Sequence, residues 1–277
     1  MYLAGIVILY KPDNGVFDNI ATYISELDCL YVFDNTEEPD VKLVTKLKEL
    51  PHVQYLSFGE NKGISYALNY VLASANHYKF LLTMDQDSSF QSGMMKTYKS
   101  ILENQYSTDS SVAMFSVHYE GQKKETVSNT VQVVERAITS GSIVNIDIAK
   151  KIGGFDENLF IDEVDNEFCY RAQLHGYKIL YFPQIQMQHH LGIPIPGSLF
   201  GIKFKGLNHN KIRKYYITRN NIYLIKKYPK LRFYCFKELI KVFIKLFLVE
   251  PDKVDRFLYM CKGVKDALTG KMGKLKI

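Results

Sequence analysis

No stretch of this 277-residue sequence approaches the ~18–20 uninterrupted apolar residues of a membrane-spanning helix. Cysteine is scarce: Cys29, Cys169, Cys235 and Cys261 are the only four, and no two have Cys-x-x-Cys spacing. That argues against a zinc knuckle or a dithiol redox centre and reads as four reduced thiols in a cytosolic protein. Tryptophan is absent beside 20 Tyr and 17 Phe, a bias with no functional reading. No Gly-x-Gly-x-x-Gly follows the first strand-like run, and no Gly-x4-Gly-Lys-Ser/Thr occurs. A Rossmann dehydrogenase and a P-loop NTPase are therefore disfavoured. The opening MYLAGIVILYKPD lacks a basic stretch and a small-residue cleavage site, so it reads as a first β-strand and not as a signal peptide. No internal repeat or low-complexity segment is visible.

What is present is ordinary globular material, 47% hydrophobic and 23% charged. The net charge of +6 is unevenly spread. Residues 1–199 hold 15 Lys+Arg against 24 Asp+Glu, a balance of −9; residues 200–277 hold 20 against 5, a balance of +15. An acidic body is followed by a basic tail, and a basic segment seeks phosphate in nucleic acid, anionic lipid or a diphosphate.

The first 84 residues alternate strand and helix patterns. Strands are expected at Ala4–Tyr10, Cys29–Phe33, Val53–Phe58 and Phe80–Met84. Helices are expected at Phe17–Leu27, Asp40–Leu50 (with Val41, Val44 and Leu47 on one stripe) and Gly63–Ala75. Short apolar strands alternating with helices predict an α/β fold with a mainly parallel central sheet. Ligands of such sheets bind at the carboxyl ends of the strands. The polar clusters Lys11-Pro12-Asp13, Asp34-Asn35 and Asp85-Gln86-Asp87 fall there.

Asp85 and Asp87 are two carboxylates two residues apart after a buried strand. They can grip a hard divalent cation together with diphosphate oxygens; the plainer reading is an acidic loop. Between Gly153-Gly154-Phe155-Asp156-Glu157 and a helical pattern lie Asp162, Glu163, Asp165 and Glu167. Acids in a first helical turn meet the positive end of the helix dipole. Four so close repel one another and need a cation, an arginine or a raised pKa. One of them, near a substrate hydroxyl, can act as a general base. His189 and His190 follow an expected strand at Lys178–Phe182, and either can supply a neutral nitrogen ligand.

Taken in order, these segments resemble a family-2 glycosyltransferase with the GT-A (nucleotide-diphospho-sugar transferase) fold, and within it the bacterial rhamnosyltransferase-like group. The resemblance covers residues 3–225 or so. It rests on Val7-Ile8-Leu9-Tyr10-Lys11-Pro12, Asp34-Asn35, Asn61-Lys62-Gly63 through Asn69, Met84-Asp85-Gln86-Asp87-Ser88, Ser140-Gly141-Ser142, Gly153-Gly154-Phe155-Asp156-Glu157, Val164-Asp165 and His189-His190-Leu191-Gly192. The Asp-Gln-Asp-Ser form is what resembles the rhamnosyltransferase group.

The resemblance implies that Tyr10, Pro12, Asp34, Asn61, Gly63 and Asp85 hold the nucleotide-sugar donor. It implies that Asp87 and His189 ligate Mg2+ or Mn2+ and that Asp165 is the catalytic base. The family's acidic pair reads Val164-Asp165 here, so Asp162, Glu163 or Glu167 must supply any second acidic contact to the acceptor. Arg219, in the segment Tyr215 to Ile222, is a candidate for an acceptor diphosphate. The implied reaction is an inverting transfer, with L-rhamnose from dTDP-rhamnose as the donor and galactofuranose, glucose or GlcNAc donors as alternatives. The implied acceptor is a polyprenyl-diphosphate-linked saccharide in surface polysaccharide synthesis (O-antigen or capsule).

Two domains are expected: the transferase over 1–225 and a basic helical extension over 226–277. In residues 230–249, Lys237, Lys241 and Lys245 recur every four residues among Phe, Leu and Ile, and 254–268 repeats the helical spacing. Such basic amphipathic helices suit an anionic membrane surface at the inner face of the plasma membrane, the alternative being core or homodimer packing. The rival class, a nucleic-acid-binding protein using the basic tail, lacks a recognisable motif and carries an acidic body, so no nucleic-acid partner is expected.

Overall fold

The computed structural model describes residues 2–119, 130–189, 194–199, 202–207, 209–248 and 250–276. By its packing the chain divides into two compact units, one of residues 1–156 and 165–190, the other of 157–164 and 191–277.

The first unit contains the alternation read from the sequence. Strands β1 (Leu3–Leu9), β2 (Cys29–Asp34), β3 (Val53–Ser57) and β4 (Phe80–Asp85) are joined through helices α1 (Gly15–Ala21), α2 (Val41–Glu49) and α3 (Ile64–Ser74). All four lie parallel in the order β3-β2-β1-β4. Every residue of β2 is buried, which is why its sequence runs apolar without alternation. Helix α2 begins where the Asp40 carboxylate accepts from the backbone N–H groups of Lys42 and Leu43. Its buried side is Leu43 and Leu47; Val41, expected on the inner stripe, is 77% exposed in the first turn.

Four strands of the α/β sheet are parallel as expected, and beyond β4 the sheet becomes mixed. The later elements are β5 (Ser88–Phe90), α4 (Met94–Thr108), β6 (Val112–Tyr119), β7 (Gln132–Val133), β8 (Ser142–Asn145), α5 (Ile146–Lys151), α6 (Val164–Leu174) and β9 (Lys178–His189). β8 sits between β4 and β6 and runs antiparallel to both; β9 is parallel to β6 and antiparallel to β5 and β7. Antiparallel neighbours do not require a helical crossover, so the regular strand-helix pattern ends after β4.

The second unit comprises residues 157–164, the hairpin β10 (Pro194–Leu199) and β11 (Ile202–Leu207), and helices α7 (Lys211–Lys227), α8 (Arg232–Leu248) and α9 (Lys253–Thr269). Its limits differ from the expected division at 225/226, which falls inside α7. Helix α7 packs along α9 so closely that a Cβ on Gly263 would lie 2.7 Å from the Tyr215 carbonyl oxygen. The buried face of α7 is polar. Lys214 pairs with Glu250 at 2.6 Å, Arg256 reaches the other Glu250 oxygen at 3.1 Å, and Tyr215 donates to Asp266 at 2.9 Å. The pKa of half-buried His209 is pushed down to about 4, first by desolvation and then by Arg213 and its basic neighbours. Among the described residues, no helix is long and apolar enough to cross a membrane.

Candidate active site

The register of the parallel strands brings the first motifs together. Leu9 of β1 pairs with Asp34 on one side, and Ile8 pairs with Asp85 on the other. Tyr10, exposed at the end of β1, donates its backbone N–H to the Gln86 side-chain oxygen at 2.8 Å, and Asn19 donates to the Gln86 carbonyl at 2.8 Å. Gln86 thus ties the loop after β1 to the acidic motif. Lys11 adopts φ 49°, its N–H donating to Thr36 Oγ1 at 2.7 Å, and half-buried Pro12 follows.

Asp34 is 1% exposed. Its carboxylate accepts from Tyr55 Oη at 2.7 Å and from the Thr36 N–H at 2.9 Å. Burial and this carboxylate together push the Tyr55 hydroxyl well above its ordinary range. The next residue, Asn35, reaches across to the Asn61-Lys62-Gly63 turn: Lys62 N–H donates to its Oδ1 at 2.9 Å, and its Nδ2 donates to the Gly63 carbonyl at 3.4 Å. Asn61 in turn accepts from the Gly63 N–H at 2.9 Å, which sets the turn that starts α3. At the far end of the same motif, Asn69 on α3 brackets Phe155, donating to its carbonyl at 2.8 Å and accepting from its N–H at 2.7 Å. Gly154 has φ +69°, and a Cβ there would sit 2.4 Å from Asn69 Oδ1, so the second glycine of Gly153-Gly154-Phe155 is required by this contact.

Asp85, Asp87 and His189 offer one ligand atom each within 4.8 Å of one another, all partly buried. The cause is strand pairing: β5 lies antiparallel to the end of β9 with Ser88 opposite His189. The strand expected at Lys178–Phe182 is longer than that. In the structure β9 runs on to His189, and Pro183 occupies the break where its register with β6 jumps from Val117–Phe182 to His118–Gln186. A proline is tolerated at such an irregularity because the ladder hydrogen bond is already lost there. His190 lies outside the described residues.

Asp165 stands in the first turn of α6, its Oδ1 accepting from the Asn166 N–H at 2.8 Å. Tyr119 stands at the end of β6. The Tyr119 ring packs edge-on to His189, centroids 6.1 Å apart, and its hydroxyl is held above its ordinary range by burial and by the Asp165 carboxylate. The same carboxylate adds to the burial that pushes the Cys169 thiol up to about 12. Gln86 lies within the Asp-Gln-Asp-Ser motif, but its tie to the β1 loop is visible only in the structure, and Tyr119 belongs to no motif and is revealed only by the sheet register.

The three acceptor candidates are placed otherwise. Glu167 is fully buried and paired with Arg171, Nε to Oε1 at 3.0 Å and Nη2 to Oε2 at 2.8 Å, which in turn binds the Gly154 carbonyl. Arg219 is also fully buried. Its guanidinium donates to the carbonyls of Gly273 at 2.7 Å and Asn158 at 3.3 Å and lies over the rings of Tyr215 and Tyr216. Each spends much of its hydrogen-bonding capacity inside the fold, as a buried charge must. Asp162 belongs to the second unit, where it pairs with Arg213 at 3.1 Å; burial raises its pKa and Arg213 opposes the rise. Asp162 and Glu163 both adopt φ 63°, and Asn220 holds this strained turn by donating to the carbonyls of Ile161 and Asp162.

Two carboxylates and an imidazole form a hard-to-borderline donor set that suits Mg2+ or Mn2+. A neighbouring carboxylate beside a tyrosine adds a candidate base. The arrangement therefore suits transfer of a group whose leaving portion is a diphosphate.

Comparisons with known proteins agree. A family model described as "Glycosyl transferase family 2" matches residues 15–151. The chain is 25% identical over 287 residues to the dTDP-rhamnosyl transferase RfbF of Shigella flexneri, covering 97% of this chain and 95% of that protein. Among solved structures, GalNAc-T7 with UDP, GalNAc and Mn2+ superposes with a TM-score of 0.61 at 11% identity, over 81% of this chain and 47% of that one. S. aureus TarS 1–349 in complex with UDP-GlcNAc superposes with a TM-score of 0.54 at 12% identity, over 97% of this chain and 73% of that one. This chain spans about half the length of the GalNAc-T7 chain, and likenesses at these identities concern the fold.

Proposed function

From the premise that the chain belongs to glycosyl transferase family 2 and has the GT-A fold, we propose that it is a metal-dependent, inverting rhamnosyltransferase. The observation carrying this reading is the gathering of Asp85, Asp87 and His189 at the end of the sheet, with Tyr119 packed against His189. The likeness to RfbF over nearly the whole chain supports dTDP-L-rhamnose as the donor. Tyr10, Pro12, Asp34, Asn61, Gly63 and Asp85 line the strand ends where the nucleotide-sugar would lie.

Asp85, Asp87 and His189 would hold the cation, which when bound neutralises negative charge on the departing diphosphate. Asp165 accepts the proton of an acceptor hydroxyl as that oxygen bonds to the anomeric carbon. The bond from that carbon to the diphosphate oxygen breaks on the opposite face. One displacement inverts the centre, so a β-linked donor yields an α-linkage. The test is release of nucleoside diphosphate by the purified protein, with dTDP-L-rhamnose compared against UDP-galactofuranose, UDP-glucose and UDP-GlcNAc. dTDP release in the presence of a saccharide acceptor is expected. Turnover with a UDP-sugar alone would move the donor assignment, and inertness toward all four would remove the transferase reading.

The acceptor in this reading is a polyprenyl-diphosphate-linked saccharide at the inner face of the plasma membrane. Support comes from the +15 balance of residues 200–277 and from α8, where Phe233, Phe236, Ile240, Phe243 and Phe247 are exposed on a helix that also bears Lys237, Lys241 and Lys245. Each lysine near an anionic surface contributes ~1 kcal/mol. The protein is expected to float with anionic liposomes, less so in high salt, and Phe236→Ser with Phe243→Ser to abolish flotation. Indifference to such vesicles together with a dimer in solution would assign this face to self-association instead.

A further inference from the structure

Helix α9 has two faces. Arg256, Met260, Gly263, Asp266 and Ala267 are buried, and this side packs along α7. The opposite side is apolar and open: Val254 is 74% exposed, Leu258 58% and Leu268 63%, with Phe257, Cys261 and Val264 exposed among them. At ~100° per residue these six side chains fall within an arc of ~120°. Lys253 and Lys262 stand exposed at its two margins and Lys265 within it. On α8 the exposed Phe233, Phe236, Ile240, Phe243 and Phe247 form a second stripe. The two stripes are joined. The Phe257 ring lies 6.1 Å from Phe243 and 6.0 Å from Phe247, whose own centroids are 4.7 Å apart, and all three rings remain exposed.

Resting on the reading of α8 as a membrane-facing helix, we propose that the outer face of α9 is the second arm of one docking surface, and that this unit lies side-on upon an anionic bilayer along both helices, with Cys261 at the level of the lipid interface. The packing of α9 against α7 uses its inner face, so the outer stripe is not needed to hold the unit together. A continuous exposed apolar surface rimmed by charge marks an interaction site. The charge selects the occupant. Lys253, Lys262 and Lys265 border the α9 stripe and Lys237 borders that of α8, while the acids Glu238 and Asp255 lie off both stripes and pair with Lys241 and Lys211. A second copy would bring the same lysines to the seam, because a two-fold interface sets a patch against itself. Anionic headgroups neutralise them instead, while the lysine stems lie along the apolar face and the ammonium groups reach the headgroups. A helix of this kind sinks ~5–10 Å into the interface, and neither helix is long and apolar enough to span the bilayer. One helix alone can roll about its axis. Two stripes joined through Phe243, Phe247 and Phe257 define a plane and so fix the orientation of the unit on the surface.

The test labels the full-length protein at Cys261 with the environment-sensitive fluorophore NBD; Cys29, Cys169 and Cys235 are buried, so one thiol is open to the reagent. Vesicles of phosphatidylcholine, alone or mixed with phosphatidylglycerol, are added at low and high salt. With phosphatidylglycerol present the emission should shift to the blue and be quenched by doxyl-labelled acyl chains, less so in high salt; phosphatidylcholine alone should have little effect. Leu258→Ser with Leu268→Ser should weaken binding to the mixed vesicles at least ~10-fold, because each exchange removes an exposed side chain whose burial drives insertion. Unchanged melting of that variant excludes a loss of folding as the cause. Flotation with the vesicles while the probe stays unshifted and unquenched would overturn the inference and leave the α8 contact standing. A blue shift that grows with protein concentration without vesicles, together with a dimer by light scattering, would overturn it in favour of a second copy on this face. Absence of flotation under all of these conditions would remove the membrane reading of α8, and this inference with it.

Discussion

Asp165→Asn is expected to lower transfer by at least ~10²-fold, the lower range for acid–base catalysis, while donor binding stays near wild type. The substitution keeps size and shape and removes basicity. It also keeps the local fold, since an asparagine Oδ1 can accept from the Asn166 N–H as the aspartate does at 2.8 Å. Among the neighbouring acids Glu167 is withdrawn by its buried pairing with Arg171. The alternative base is then Asp162, which carries the raised pKa of a buried carboxyl against the pull of Arg213. Single-turnover transfer with saturating donor separates the two. Normal transfer by Asp165→Asn with loss in Asp162→Asn would shift the base to Asp162.

Asp87→Asn, or chelation by EDTA, is expected to cost on the order of 10²–10³-fold in turnover. A cation at a developing phosphate charge is worth several kcal/mol, and each ~1.4 kcal/mol is tenfold in rate. Asp87 is the more exposed partner of the His189 contact, so its exchange for asparagine removes an anionic ligand without opening the core. Added Mn2+ should restore chelated wild type fully and Asp87→Asn in part, at higher Mn2+ concentration. Full turnover in EDTA by the purified protein would exclude the cation from the reaction.

The sequence alone determined the alternating half of the fold. The four parallel strands lie within a residue or two of where their apolar runs place them; β1, β2 and β4 are buried nearly throughout and so must be apolar, while β3 is a partly buried edge strand. It also marked Asp85 and Asp87, whose spacing after such a strand is local, and the helices α8 and α9, whose periodicity is local too. Only the tertiary structure decided the rest. The antiparallel place of β8, the continuation of β9 through Pro183 and the pairing of Ser88 with His189 are long-range matters of register, for which the sequence carries no local signal. Tyr119 enters the site for the same reason. Glu167 and Arg219 read as free charges because their partners, Arg171 on the next turn and the carbonyls of Asn158 and Gly273, are recognised only once burial is known. Helix α7 hides its role most completely. It buries Lys214, Arg219, Asn220 and Asn221, and a helix that packs through polar side chains has no apolar stripe to read.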